Sequence, residues 1–124
     1  MWLVVLRAYA KLMVFDLYLA RGNFHALYHK VRKYPVRSGN SRPHEIEPIC
    51  HAVELASIWY WKQVRCLQRS AATACLLKQN GLGARMVIGA QQVPFKAHAW
   101  VEVDGRVVND KPYMREIYRV LDQC

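Results

Sequence analysis

Acidic side chains are scarce in this 124-residue chain. Nine Asp and Glu stand against 18 Lys and Arg, a formal net charge of +9. Such a balance favours acidic partners: nucleic acid, an anionic membrane, or an acidic peptide or protein. No RNA- or DNA-binding motif accompanies the basic residues, which are scattered, so nucleic acid is not the favoured partner. An uninterrupted apolar run is also missing. The stretch from Trp2 to Leu19 is largely apolar, but Arg7, Lys11 and Asp16 interrupt it and argue against a membrane span. The N-terminus has no basic region followed by a small-residue cleavage site. The four cysteines, Cys50, Cys66, Cys75 and Cys124, include no Cys-x-x-Cys pair, and Cys50-His51 has no partners at zinc-like spacing. No metal and no cofactor are expected. With nothing to suggest secretion, the thiols read as reduced, in a cytoplasm. Internal repeats and low-complexity segments are absent.

What is present is the composition of a globular domain, with 53% hydrophobic and 22% charged residues. The length suits one domain. Leu3, Leu6, Tyr9/Ala10, Met13 and Leu17 fall on a helical stripe and predict a core-facing helix over 2–20. Arg21-Gly22-Asn23 breaks it, with Asn23 as N-cap of a second helix over about 23–33. Pro35 ends that segment, and Ser38-Gly39-Asn40-Ser41-Arg42-Pro43 reads as a linker. A third helix is expected from about Glu45 to Trp59 and a fourth from Cys66 to about Gln79, stopped by Asn80-Gly81. The texture then changes. Ala84–Ala90 reads as a buried strand, Gln91–Pro94 as a loop, Phe95–Val103 and Arg106–Asp110 as two more strands, and Tyr113–Asp122 as a short helix. Helices first and antiparallel strands afterwards give an α+β domain.

Cys66 stands out among the thiols. It lies at a predicted helix start, where unpaired N–H groups and the helix dipole favour an anion, and Arg65 and Arg69 flank it. Its own amide is placed to donate to an oxyanion. Cys75, nine residues on, faces the opposite side of the same helix and reads as core. Among five histidines, His25, His29, His44 and His51 sit in helical or linker segments and read as ordinary polar groups. His98 lies in a strand between two small alanines, and a neutral imidazole can take a thiol proton and return it to a leaving amine.

Asp110 meets His98 only in one register. A two-residue Asp104-Gly105 turn would put His98 and Asp110 on opposite faces. A three-residue Val103-Asp104-Gly105 loop with a bulge at Gly105 would pair Glu102 with Arg106 and His98 with Asp110. The second is expected, with His98, Trp100, Val108 and Asp110 on one face and Asn109, the other candidate orienter, on the opposite one.

Three strings, Arg65-Cys66-Leu67-Gln68-Arg69-Ser70, Phe95-Lys96-Ala97-His98-Ala99-Trp100-Val101-Glu102 and Val107-Val108-Asn109-Asp110, resemble in order and spacing the transglutaminase-like leader peptidases of lasso peptide biosynthesis, the B2 proteins. The resemblance is strongest over roughly residues 45–115. It implies a transglutaminase/papain-like cysteine protease fold over 1–124, with 1–37 a helical lead-in and 44–124 the catalytic part. It implies Cys66 as nucleophile, His98 as base and acid, and Asp110 as orienter of a protease that removes the leader of a ribosomal precursor. A lasso cyclase would then close the macrolactam, and a separate B1-type recognition-element protein would deliver the leader, since the chain looks like the discrete form. Ala71-Ala72-Thr73-Ala74-Cys75 departs from the larger aliphatics expected there. Trp59, Trp61 and Gln63 either line a peptide groove or pack at the helix end, and stay outside the catalytic set. The alternatives are acyl transfer to an amine, as in transglutaminases or arylamine acetyltransferases, and a non-enzymatic basic RNA- or membrane-binding module.

Overall fold

The computed structural model describes residues 2–37 and 43–124. Helices α1 (Trp2–Ala20), α2 (Phe24–Lys33), α3 (Ile46–Trp59) and α4 (Cys66–Gln79) come first. Strands β1 (Ala84–Gln92), β2 (Phe95–Val103) and β3 (Arg106–Val107), helix α5 (Met114–Ile117) and strand β4 (Arg119–Gln123) follow. The strands form one antiparallel sheet in the order β3-β2-β1-β4. The α+β class read from the sequence stands.

Helix α1 has its expected extent but buries a different face. Leu3, Leu6 and Leu17 are 61%, 65% and 60% exposed, and Ala10 and Met13 are exposed with them. Val5, Ala8, Leu12 and Phe15 are buried instead. Both sets recur at helical spacing, so periodicity alone cannot choose between them. The choice is made by α3 and α4, which pack on the Leu12 side, where the buried Gln68 Nε2 donates to the Leu12 carbonyl at 2.7 Å. Asn23 caps α2 as expected, its Oδ1 accepting from the Ala26 N–H at 3.2 Å. Tyr34 leaves the helix with extended backbone, as a residue before proline must. The expected linker over Ser38–Pro43 lies, Pro43 excepted, outside the described residues. Among the described residues no helix is long and apolar enough to cross a membrane.

Helix α4 begins and ends where the sequence places it. Ser70 through Lys78 are all buried. The buried Lys78 Nζ donates at 2.6 Å to the Val31 carbonyl near the end of α2, which also accepts from the Tyr34 N–H.

The sheet departs from expectation in three places. Strand β1 runs on to Gln92, which pairs with Phe95, so the loop expected over Gln91–Pro94 shrinks to Val93-Pro94. The helix expected over Tyr113–Asp122 is only the single turn α5. The chain then forms β4, whose five residues cover the open edge of β1 and pair its backbone polar groups. The β2–β3 hairpin closes on two residues, not three. Asp104 (φ 53°) and Gly105 (φ 76°) both adopt left-handed backbone, which matches the twist of the flanking strands. Val103 therefore faces Arg106, and Glu102 faces Val107. The expected Glu102–Arg106 pair does not form. The buried Glu102 carboxylate instead accepts from Arg115 Nε at 2.8 Å and from Trp100 Nε1 at 2.9 Å.

The two sheet faces bury separate clusters. Met86, Val101 and Val103 join the helical core, with Val108 packed against it. Val87, Trp100 and Met114 form a smaller outer cluster with Val107, Tyr118 and Val120. His98, two residues from Trp100, shares the outer face, and Val108 does not.

The choice of α1 face is measurable. Leu12→Ala should cost about 2–5 kcal/mol in urea unfolding, because it empties a closed site. Leu6→Ala should stay within about 0.5 kcal/mol. Equal losses would mean that both faces are buried in solution.

Candidate active site

Cys66 is the first residue of α4 and is half-buried. A helix start leaves its first amides without intrahelical acceptors. The preceding Arg65 N–H is taken by Gln68 Oε1 at 3.4 Å, which leaves the Cys66 and Leu67 amides at the mouth of the helix. No hydrogen bond reaches the Cys66 thiol among the described residues. Desolvation pushes the thiols of Cys50, Cys75 and Cys124 each up to about 11. Cys75 lies in the core, as read from its place opposite Cys66.

His98 and Asp110 meet. His98 Nε2 lies 2.7 Å from Asp110 Oδ2, with side chains 23% and 18% exposed. The way they meet differs from the expected one. On the observed register a regular ladder would set Asp110 opposite Ala99 and His98 opposite Lys111. Strand β3 stops at Val107, however, and residues 108–110 bend away. Val108 N–H still donates to the Val101 carbonyl at 3.0 Å. The return bond, which a ladder would give to the Val108 carbonyl, goes to the side chain of Asn109: Val101 N–H donates to Asn109 Oδ1 at 2.7 Å. The irregularity expected at the hairpin loop thus sits three residues later and still carries Asp110 to His98.

Burial by itself would raise the Asp110 carboxyl. The hydrogen bond with His98, the Lys111 N–H at 2.8 Å, and the charges of His98 and Arg69 outweigh it and hold the carboxyl below its ordinary value. A carboxylate facing Nε2 favours the tautomer with the proton there and the lone pair on Nδ1. The imidazole is enclosed by aromatic rings. Its ring stacks on Tyr118 at 5.4 Å and on Trp100 at 6.3 Å between centroids. Tyr118 was missed in the sequence because the strand that follows it was read as helix. Gly89, paired with His98 across the sheet, makes the stack possible: a Cβ there would lie 2.7 Å from Trp100 and 2.8 Å from Tyr118.

Cys66 is tied to this pair through its helix. Arg69 and Ser70, three and four residues on, share its side of α4. Ser70 Oγ donates to the Ala99 carbonyl, next to His98, at 3.0 Å and lies 3.2 Å from Asn109 Nδ2. A cleft of about 490 Å³ opens beside Asp110 between α3 and the 108–111 segment, its wall including Glu47, His51, Glu54, Arg69 and Lys111. Trp59 and Trp61, 72% and 71% exposed just before Cys66, are not helix-end packing. Gln63 lines a separate cavity with Asp16 and Lys62.

The sequence profile of the Transglutaminase-like superfamily matches residues 10–123. A helix-start cysteine and a strand histidine bound to a carboxylate suit that match, and the chain belongs to this superfamily. A curated relative, the microcin J25-processing protein McjB of Escherichia coli, is 43% identical over 56 residues, 45% of this chain. The match spans 27% of that relative's length. No solved structure matches the chain.

Two outcomes follow. Gly89→Ala should lose about 1–3 kcal/mol of stability, as overpacking does, and change the near-ultraviolet circular dichroism of Trp100. An unchanged spectrum and melting temperature would mean that the stack is loose. Asp110, held below its unfolded value of about 3.9, stabilises the fold fully above that value and ceases to as pH falls through the lowered one. The stability gap between wild type and Asp110→Asn should therefore narrow on going from about pH 5 toward pH 2. Urea titrations across this range measure it.

Proposed function

We propose that this protein is a cysteine peptidase that removes the leader from a ribosomally made lasso peptide precursor, with Cys66 as nucleophile, His98 as base and acid, and Asp110 as orienter. The observation that carries the reading is the 2.7 Å contact of Asp110 Oδ2 with His98 Nε2. It leaves Nδ1 to accept a proton on the strand next to which α4, the Cys66 helix, is packed. The relationship to a microcin J25-processing protein supports the choice of substrate class. The exposed aromatics Trp59 and Trp61, just before Cys66, offer a surface on which an extended peptide can lie.

The chemistry proceeds in two halves. His98 Nδ1 takes the Cys66 proton, and Sγ attacks the carbonyl of the last leader residue. The oxyanion is met by the Cys66 amide at the mouth of α4. The imidazolium, stabilised by Asp110, gives its proton to the departing nitrogen, which leaves as the amino terminus of the core peptide. The leader is now a thioester on Cys66. His98 then takes a proton from water, whose oxygen displaces Sγ and releases the leader acid. The freed amine is the group that a lasso cyclase would join to a side-chain carboxyl. A separate leader-binding protein would deliver the precursor, with both proteins in the cytoplasm. The basic surface suits an acidic partner or leader.

The test is incubation with a precursor encoded beside this protein and with its leader-binding partner, read by mass spectrometry. Cys66→Ala should reduce cleavage at the leader–core junction by about 10³-fold or more, and Cys75→Ala should leave it largely intact. Equal loss in both variants would sink the assignment. A leader amide in place of the leader acid would instead indicate acyl transfer to an amine.

A further inference from the structure

Asn109 is spent on a different task from that of its neighbour Asp110. Its amide orientation is fixed by its partners. The Val101 N–H can only donate, so the oxygen of Asn109 must face it, at 2.7 Å. The nitrogen then faces Ser70, whose oxygen accepts at 3.2 Å. The hydroxyl proton of Ser70 is thereby left for the Ala99 carbonyl, at 3.0 Å. Each of the three bonds runs in the only sense available to it. Ser70 is wholly buried, so its bond to the Ala99 carbonyl does not compete with bulk water, and leaving its hydroxyl unpaired is costly.

The network joins three segments, and each member stands beside one proposed reacting group. Ser70 lies one helical turn beyond Cys66. Ala99 follows His98. Asn109 precedes Asp110. The Val101 bond also replaces the regular ladder at the point where the chain leaves β3, and that departure brings Asp110 to His98.

We propose that Ser70 and Asn109 are positioning residues that set the placement of the Cys66 helix against the His98–Asp110 pair. The proposal rests on the leader-peptidase reading, because it assigns no chemistry of its own. Loosening the network at Ser70 lets the first turn of α4 shift against β2 while the His98–Asp110 contact stays closed; loosening it at Asn109 also frees the segment that carries Asp110. The thiol is then displaced from its proposed base, and a displacement of about 1 Å at a reacting centre is enough to cost about 10²-fold in rate. Substrate binding, which uses the outer surface, changes little.

Ser70→Ala, Asn109→Ala and the double variant test this in the full chain. One readout needs no peptide: the pH profile of iodoacetamide alkylation at Cys66, followed by peptide mapping. The other is cleavage of the precursor with its leader-binding partner. Each single variant should shift the alkylation midpoint and lower kcat by about 10²-fold, with KM within about twofold. The double variant should fall within about threefold of the worse single one, since both act through one network. Ser70→Ala, which only removes a buried oxygen, decides the matter if Asn109→Ala does not fold. Variants with a lower melting temperature but wild-type profile and kcat would overturn the proposal and leave an ordinary structural tie. If His98→Ala itself left alkylation and cleavage unchanged, the leader-peptidase reading would fall, and this proposal with it.

Discussion

Helix α4 is enclosed on every side along most of its length, and the rest of the molecule is arranged around that fact. From Ser70 to Lys78 no residue lies at the surface. Helices α1, α2 and α3 and strands β1 and β2 all pack on it. The run Ser70-Ala71-Ala72-Thr73-Ala74-Cys75 makes this possible, because short side chains let neighbours approach from several directions at once. Larger aliphatics, whose absence from this stretch is notable in the sequence, would push some of them away. The cost is a set of polar groups that must be paired inside the core. Gln68, Ser70, Thr73 and Lys78 each find a backbone carbonyl. The free end of α4 is its first turn, where Cys66 sits half-buried. A helix clamped over about two and a half turns presents that residue with little freedom.

Much of this was legible in the sequence, for local reasons. The end of α4 follows from Asn80-Gly81, after which the texture changes. Asn23 announced the second helix by its capping chemistry. His98 was distinguished from four other histidines by lying in a strand. The failures share a different character. The face of α1 was misread because the sequence offers two apolar stripes, and only tertiary neighbours select one. Strand β4 was misread because Arg119-Val120-Leu121-Asp122-Gln123 has no strong pattern; it is held by backbone pairing to an edge that exists only once β1 is in place.

The hairpin is the instructive case. The conclusion that His98 and Asp110 adjoin was right, and the register offered for it was wrong. Asp104-Gly105 takes the tight turn that its two left-handed residues favour. The compensation comes from the side chain of Asn109, which substitutes for a main-chain carbonyl in the ladder. Register arguments assume that backbone pairs with backbone. A short amide side chain can take over one rung and release the residue after it from the plane of the sheet. The sequence marks Asn109 only as a rival orienter, because nothing in a linear pattern shows a side chain standing in for a rung of the ladder.

The apolar stripe left in water along α1 bears on how the protein behaves in bulk. Leu3, Leu6, Ala10, Met13 and Leu17 repeat at alternating intervals of three and four, the seam spacing by which helices pair. Two copies meeting along it would each bring a net charge of +9, and that repulsion is a barrier to their association. It is an electrostatic barrier, weakened by dissolved salt, whose screening length is only about 8 Å at 0.15 M. Any such pairing would therefore depend on ionic strength as well as on concentration, a consequence of which of two stripes α1 turned inward.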